Sequence, residues 1–376
     1  MTGSAHRSAE ATAPRGRGLK FRTLADRLRR EIDEGLWPPG SRLPTEQELA
    51  RAHGASVSTV RRAVADLVAE DLVVRRQGSG TYVLAPAAAG GRSALIGVIV
   101  PDTAFYYPRV LQGIEEELTA AGARCVIASS SYDQARELRA IADMLDAGAE
   151  GLLLAPTLAG PETPEAYLDR LAGLPVPVVL VERRGTSLGD ATESVCTHHE
   201  AGGYDAVRHL ARLGHRTTGL VLRLHSPTTE PVRRGFHQAV RELGLAGSEF
   251  RAALEEWSPA AADRCLTGLR RAGATAAVCF GDRQAALLEA AARRAGLRVP
   301  DDLALIAYDD EIADIAEVPL TAVSPPKHLL GRTAAGLLLN RLDHPEDSRR
   351  QVLLRPAITV RESCGAARPR LALTPG

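Results

Sequence analysis

Ser56, Ser58, Thr59, Arg61 and Arg62 fall within seven residues of one another. Hydroxyls and guanidinium groups at this density suit hydrogen bonding to phosphates and base edges. They can read a nucleic acid only if one element presents them together. Val60, Ala63, Val64 and Leu67 supply that element: they share one apolar face at helical spacing, with Ser56 as its cap. The polar set then lies largely on the other faces. An α-helix fits the major groove of B-DNA with its N-terminal side chains at the base edges. The elements around it are also legible. Leu24, Leu28 and Ile32 mark a first helix, ended by Gly35 and the run Trp37-Pro38-Pro39-Gly40. Thr45-x-x-Glu48 is a capping box, and the helix it starts buries Leu49 and Ala50 before Gly54 breaks it. Leu72–Arg76 and Thr81–Leu84 flank Gln77-Gly78-Ser79-Gly80, a strand–turn–strand hairpin. A Gly-rich tip of this kind approaches a DNA backbone without clash. Helix, helix–turn–helix and hairpin together predict a winged helix-turn-helix.

Composition agrees with one basic segment on a larger body. The chain has 376 residues with 46 Lys+Arg against 46 Asp+Glu. Residues 1–92 hold 15 basic and 10 acidic side chains, net +5, and the rest hold 31 and 36, net −5. Only the first part is charged to meet a polyanion. Lys20 and Lys327 are the only lysines, so an individual Arg carries little information and Schiff-base chemistry has few candidates. No apolar run approaches the roughly 20 residues of a membrane helix, and no secretory signal is visible. The five scattered cysteines form no CxxC pair, which fits a reducing cytosol and argues against a zinc site.

The motifs of the first segment closely resemble the GntR-type DNA-binding domain. They are Pro39-Gly40-Ser41-Arg42-Leu43-Pro44-Thr45-Glu46, Glu48-Leu49-Ala50, Ser58-Thr59-Val60-Arg61 and Arg76-Gln77-Gly78-Ser79-Gly80-Thr81-Tyr82-Val83. The resemblance spans about residues 20–84. It implies DNA contacts from Ser58, Thr59 and Arg61 on the recognition helix and from Gln77 and Gly78 at the wing. Thr45, Ser56 and Arg62 complete the candidate set. Gln47 and Val57 stand where many members carry an Arg that touches DNA, and Asp71 replaces a common Gly.

After Ala85-Pro-Ala-Ala-Ala-Gly-Gly-Arg-Ser93, a linker by composition, strands and helices alternate. Ile96–Val100, Cys125–Ala128, Gly151–Ala155 and Val178–Val181 read as buried parallel strands, with helix faces at Val110, Ile114, Leu118 and at Leu138, Ile141, Leu145. The alternation resumes after Val195: helices 200–213, 232–243, 260–272 and 283–295, strands 218–222, near 252, 276–280 and 303–307. About 270 residues of this kind predict two α/β lobes with a ligand cleft outside the strand ends. His209–Arg216, Gly296–Leu303 and Ala307-Tyr308-Asp309-Asp310 are similar to stretches of the LacI/GalR-type sensor, which is periplasmic-binding-protein-like. That resemblance implies effector contacts from Tyr106, Tyr107, Trp257, Asp309, Arg233 and Asp282. Val232, Gly281, His198 and His199 depart from residues customary in that family.

No phosphate loop, HExxH or nucleophile elbow is present, and the GSG at 78–80 lies in a hairpin. No catalytic residue, cofactor or metal is therefore expected. The organisation expected is a tail 1–18, a winged head 19–84, a linker 85–93, an effector-binding and dimerisation domain 94–364 and a tail 365–376. The combination resembles the arabinose-repressor type of regulator, which implies a cytoplasmic homodimer on an operator in double-stranded DNA, controlled by a sugar-like effector, with no membrane partner. Two alternatives remain: a sugar-binding module without gene control, for which the head has no use, and a GntR fusion to a pyridoxal-phosphate domain, whose lysine could only be Lys327.

Overall fold

The computed structural model describes residues 17–33, 36–37, 40–70, 72–76, 80–83, 94–185, 189–224, 226–253 and 256–366. The start of the N-terminal tail, the wing tip with Gln77 and Gly78, the linker 85–93 and the residues after Ala366 lie outside them. The chain divides into two compact units that part between Ser93 and Ala94.

The smaller unit holds α1 (Arg17–Asp33), α2 (Glu46–Ala52), α3 (Val57–Ala69) and an antiparallel hairpin, β1 (Val73–Arg76) with β2 (Gly80–Val83). The first helix begins at Arg17, two residues inside the stretch expected to be a loose tail. The N-terminus of α2 is fixed by Thr45, whose hydroxyl accepts from Glu48 N, while the Glu48 carboxylate accepts from Thr45 N. Ser56 caps α3 by accepting from Thr59 N. Leu24, Leu28, Leu49, Val60, Ala63, Val64, Leu67 and Val83 close one core. Each helix thus contributes the apolar face that its spacing marked.

The larger unit has two lobes with one architecture. In the first lobe the sheet order is β13-β7-β6-β5-β3-β4, and every pair is parallel. Its strands are β3 (Leu95–Val100), β4 (Arg124–Ser129), β5 (Gly151–Leu154), β6 (Val178–Val181), β7 (Glu193–Thr197) and β13 (Gln351–Leu354). Helices α4 (Tyr107–Ala120) and α11 (Lys327–Asp343) cover one face, and α5 (Gln134–Asp146) and α6 (Pro164–Ala172) the other. In the second lobe the order is β14-β12-β11-β10-β8-β9, parallel except for β14 against β12. Its strands are β8 (Thr217–Arg223), β9 (Ala246–Ala252), β10 (Ala276–Cys279), β11 (Ala304–Tyr308), β12 (Thr321–Ser324) and β14 (Ala357–Thr359). Helices α7 (His199–Arg212) and α8 (Thr229–Glu242) pack on one face, α9 (Pro259–Arg271) and α10 (Asp282–Arg294) on the other.

The chain crosses between the lobes three times, from β7 to α7, from β12 to α11 and from β13 to β14. Each sheet therefore ends in a strand from the far end of the sequence, which local alternation does not reveal. Helix α11 was not expected either. Its apolar residues occur on several faces: Leu330, Ala334, Ala335, Leu337 and Leu338 are buried against the first sheet, while Leu329 is exposed and Leu339 and Leu342 are only partly buried.

Candidate functional site

The recognition helix α3 turns Val60, Ala63, Val64 and Leu67 inward and leaves Ser58, Arg61 and Arg62 exposed. The hydroxyls cluster at its start: Ser56 Oγ lies 2.9 Å from Ser58 Oγ and 2.8 Å from Thr59 Oγ1. Thr45 is exposed one helix earlier, its hydroxyl donating to Glu48 at 2.8 Å. Two arginines are held from below. Arg61 pairs with Glu46 at 2.9 Å, and Arg75 of the wing reaches the other oxygen of the same carboxylate at 3.2 Å. The guanidinium of Arg62 covers the ring of Phe21 at 4.3 Å, so it is anchored toward α1. Sequence reasoning missed Glu46 and Arg75. Their partners lie 15 and 29 residues away, and only the tertiary fold brings them together.

In the larger unit the loops at the carboxyl ends of both sheets face each other around a cavity of about 490 Å³, the size of a small-ligand site. The loop after β3 contributes Asp102, Phe105, Tyr106 and Tyr107; those after β4 and β6 bring Tyr132, Glu182 and Arg183. The second lobe adds Arg223, Phe280, Gln284 and Asp309. Among the described residues six non-glycines have positive φ, and four of them line this cavity: Phe105 (49°), Tyr132 (59°), Glu182 (64°) and Asp309 (90°). Left-handed backbone costs energy and collects where a fold must aim side chains at a ligand.

A buried network spans the crossover. His199 Nε2 lies 2.8 Å from Glu182, and its Nδ1 lies 3.0 Å from the Tyr308 hydroxyl. Tyr106 donates to Glu182 at 2.6 Å, and Thr197 N donates to it at 3.0 Å. Burial opposes ionisation of Glu182, but His199, Tyr106 and Thr197 outweigh it and hold its carboxyl below the ordinary range. Asp309 behaves oppositely. Burial, then the neighbouring Asp282 charge, push it up to about 6, against the pull of His199, Lys327 and Arg223. Lys327 is buried, paired with Glu311 and the Asp309 carbonyl, with its ammonium 5.3 Å from the Tyr106 ring centre.

Of the six candidate effector residues, Tyr106, Tyr107, Asp309 and Asp282 reach this cavity and two do not. Trp257 is a correction: it is 4% exposed and packs in the core of the second lobe, edge-on to Phe250 at 5.7 Å. Arg233 is the other. Helix α8 buries Val232, Gly235, Phe236 and Ala239, so Arg233, one residue round from Val232, turns outward to Glu230 and Glu249. Asp282 lines the cavity, but its carboxylate accepts the backbone N–H groups of Asp310, Glu311 and Ile312. It braces the Asp309 loop.

The departures have structural reasons. Val232 is fully buried, its carbonyl oxygen 2.3 Å from where a Cβ on Gly203 of α7 would stand. Gly281 has φ +113°, a conformation that an L-residue such as Asn rarely adopts. His198 precedes α7 and His199 opens it, where His199 joins the buried network with Glu182 and Tyr308. No cluster of metal-ligating side chains occurs among the described residues, and none of their helices is long and apolar enough to cross a membrane.

A winged head of DNA-binding type and a two-lobed sensor with a cleft at its strand ends define a one-component transcription regulator. Residues 20–83 match the gntR family of bacterial regulatory proteins, and residues 207–364 match the periplasmic binding protein-like domain. The chain belongs to the gntR-type regulators of the arabinose-repressor kind. It is 30% identical over 355 residues to the arabinose metabolism transcriptional repressor of Geobacillus stearothermophilus, covering 92% of this chain and 97% of that one. The same-named repressor of Halalkalibacterium halodurans is 26% identical over 93% of this chain and 97% of its own. Among solved structures, the transcription regulator GntR from Chromobacterium violaceum superposes with a TM-score of 0.60 at 26% identity. It covers 72% of this chain and 99% of that one. A LacI family regulator from Enterococcus faecium with bound ribose gives 0.59 at 25% identity, with 72% and 98% covered.

Proposed function

We propose that this regulator represses transcription from an operator in double-stranded DNA and is released when a sugar-like molecule occupies the interlobe cleft. The observation that carries the reading is the ring of left-handed residues around a cavity built from both lobes, in a chain that also bears an exposed recognition helix. A ligand that touches both lobes favours their closed arrangement. It shifts operator affinity only by binding the two arrangements unequally, and roughly 1–3 kcal/mol of coupling is typical. Ser58, Thr59 and Arg61 contact bases or phosphates from α3, with Thr45, Ser56 and Arg62 beside them and Gln77 and Gly78 at the wing. Tyr106, Tyr107 and Asp309 contact the effector. The repressor works as a cytoplasmic homodimer on inverted half-sites. It carries out no catalysis and uses no cofactor. Lys327 supports this, since its ion pair with Glu311 and its burial leave no free amine for a pyridoxal-type adduct.

The test is a fluorescence-anisotropy titration of the full chain against its own upstream DNA, repeated with a panel of pentoses and hexoses. Sequence-specific binding that one sugar reverses supports the reading. Binding no tighter than to unrelated DNA contradicts it.

A further inference from the structure

The charged groups around the interlobe cavity fall into two sets, those already satisfied within the protein and those that are not. The satisfied set is mostly acidic. Glu182 is held by His199, Tyr106 and Thr197. Asp102 accepts from Ala104 N and from the Tyr132 hydroxyl, both at 3.0 Å. Asp282 takes three backbone N–H groups, and Glu311 pairs with Lys327.

The unsatisfied set is mostly basic. Arg183, Arg223 and Arg283 line the cavity, and none has a carboxylate within ion-pair distance among the described residues. Arg183 is 9% exposed. Its recorded partners are the Pro156 carbonyl at 3.0 Å and the face of Tyr132, whose ring centre is 5.2 Å away. Arg223 comes from the opposite lobe; it reaches Ser226 Oγ at 3.4 Å and stands 5.5 Å from the Phe280 ring centre. Arg183 stands over the Tyr132 ring and Arg223 over the Phe280 ring, and both rings line the same cavity. Nearby, the Gln284 side-chain amide nitrogen is buried without a partner, in a residue 2% exposed. The single acidic group left over is Asp309, whose carboxylate has no hydrogen-bond partner among the described residues.

Closing the lobes expels water from the cleft. A guanidinium left there without a counter-ion loses its hydration and gains nothing in return. A neutral sugar offers hydroxyls but no charge. A carboxylate or phosphate offers paired acceptor oxygens in the geometry that guanidinium groups bind best. Resting on the reading of this cleft as the effector site, we propose that the effector is an anion. It is a polyhydroxylated compound bearing a carboxylate or a phosphate, with its charge between Arg183 and Arg223 and a hydroxyl on Asp309. Gln284 donates its free amide to the same molecule. The two arginines belong to different lobes, so the anion itself draws the cleft shut.

The experiment is titration calorimetry of the full chain with two matched series: L-arabinose, L-arabinonate and L-arabinose 5-phosphate; and D-glucose, D-gluconate and D-glucose 6-phosphate. The expected result is at least one anion binding tenfold or more tighter than its neutral parent. The carboxylate and phosphate arms then show which charge the site takes. Arg223→Gln should erase the preference for the anion while the free protein still folds with an unchanged far-ultraviolet circular dichroism spectrum, and Arg223→Lys should keep part of the preference. The idea is overturned if a neutral parent binds as tightly as its anions, or if Arg223→Gln leaves anion affinity within twofold. Binding of neutral sugars alone sinks the anion and spares the sugar-sensor reading; binding by no member of either series sinks both.

Discussion

Asp309 ties backbone strain, burial and function together in one side chain. Its φ of 90° aims it into the cleft, and burial with the adjacent Asp282 raises its pKa to about 6. An unfolded chain would release the same proton near 3.9. The folded state therefore holds this proton more tightly, and the associated stability is present below about pH 4 and lost as pH rises through about 6. Asp309→Asn keeps the shape and removes the charge. It should stabilise the ligand-free protein at pH 8 by on the order of 2–3 kcal/mol, with a much smaller gain at pH 4.5, and weaken effector binding. Melting curves of both proteins at the two pH values check this; an equal gain at both would remove the charge from the explanation. Arg61→Ala should weaken operator binding by about 1–3 kcal/mol. Since Glu46 holds Arg61 and Arg75 together, Glu46→Gln should also weaken operator binding while leaving the fold intact. Unchanged anisotropy titrations for Arg61→Ala would take that side chain out of the interface. At this scale the sequence was a partial guide. The caps Thr45 and Ser56 were legible because a cap acts on its own next turn. The placement of Trp257 and Arg233 was not, because helix rotation and tertiary packing decide whether a side chain meets the cleft or the core.

At the scale of elements, α7 and α8 pack backbone to backbone. A Cβ on Gly203 would stand 2.3 Å from the Val232 carbonyl oxygen, and one on Gly235 would stand 1.8 Å from that of Glu200. Neither contact can be relieved by a rotamer change, so the helices must separate. Gly235→Ala should cost about 1–3 kcal/mol, at the upper end of that range, read as a lower denaturant midpoint. A midpoint unchanged within error would mean that the helix pair is not so close. The same crossing explains Val232: a longer polar residue there faces the core that Gly203 keeps narrow. Most of the helices and inner strands could be read from periodicity, since each buries one face of its own. The strands β7, β12, β13 and β14 and the helices α6 and α11 could not. The strands and α6 are short, α11 carries apolar residues on several faces, and β13 and β14 return from the far end of the chain to finish each sheet.

For the whole molecule, the division into a basic head and an acidic sensor was visible in charge and motif, and the cleft followed from parallel strands whose loops meet at one end. What the cleft prefers was not visible, because it depends on which charges the fold has already satisfied. Two consequences belong to this scale. Operator affinity should fall linearly on a log–log plot against salt, with a slope of about −0.9 for each phosphate contacted. A flat profile would contradict a phosphate-bound head. Effector binding should be tighter to the free repressor than to its operator complex by the same factor as effector weakens operator binding, because the coupling is reciprocal.

The measurement that tests the central claim most directly is operator binding by the full chain on its own upstream DNA, titrated with the matched neutral and anionic sugar series. The account predicts tight, sequence-specific binding that one member of the series reverses by roughly tenfold or more, the response disappearing in Asp309→Asn with DNA binding retained. Binding that no compound alters, or a response that survives Asp309→Asn unchanged, would contradict it.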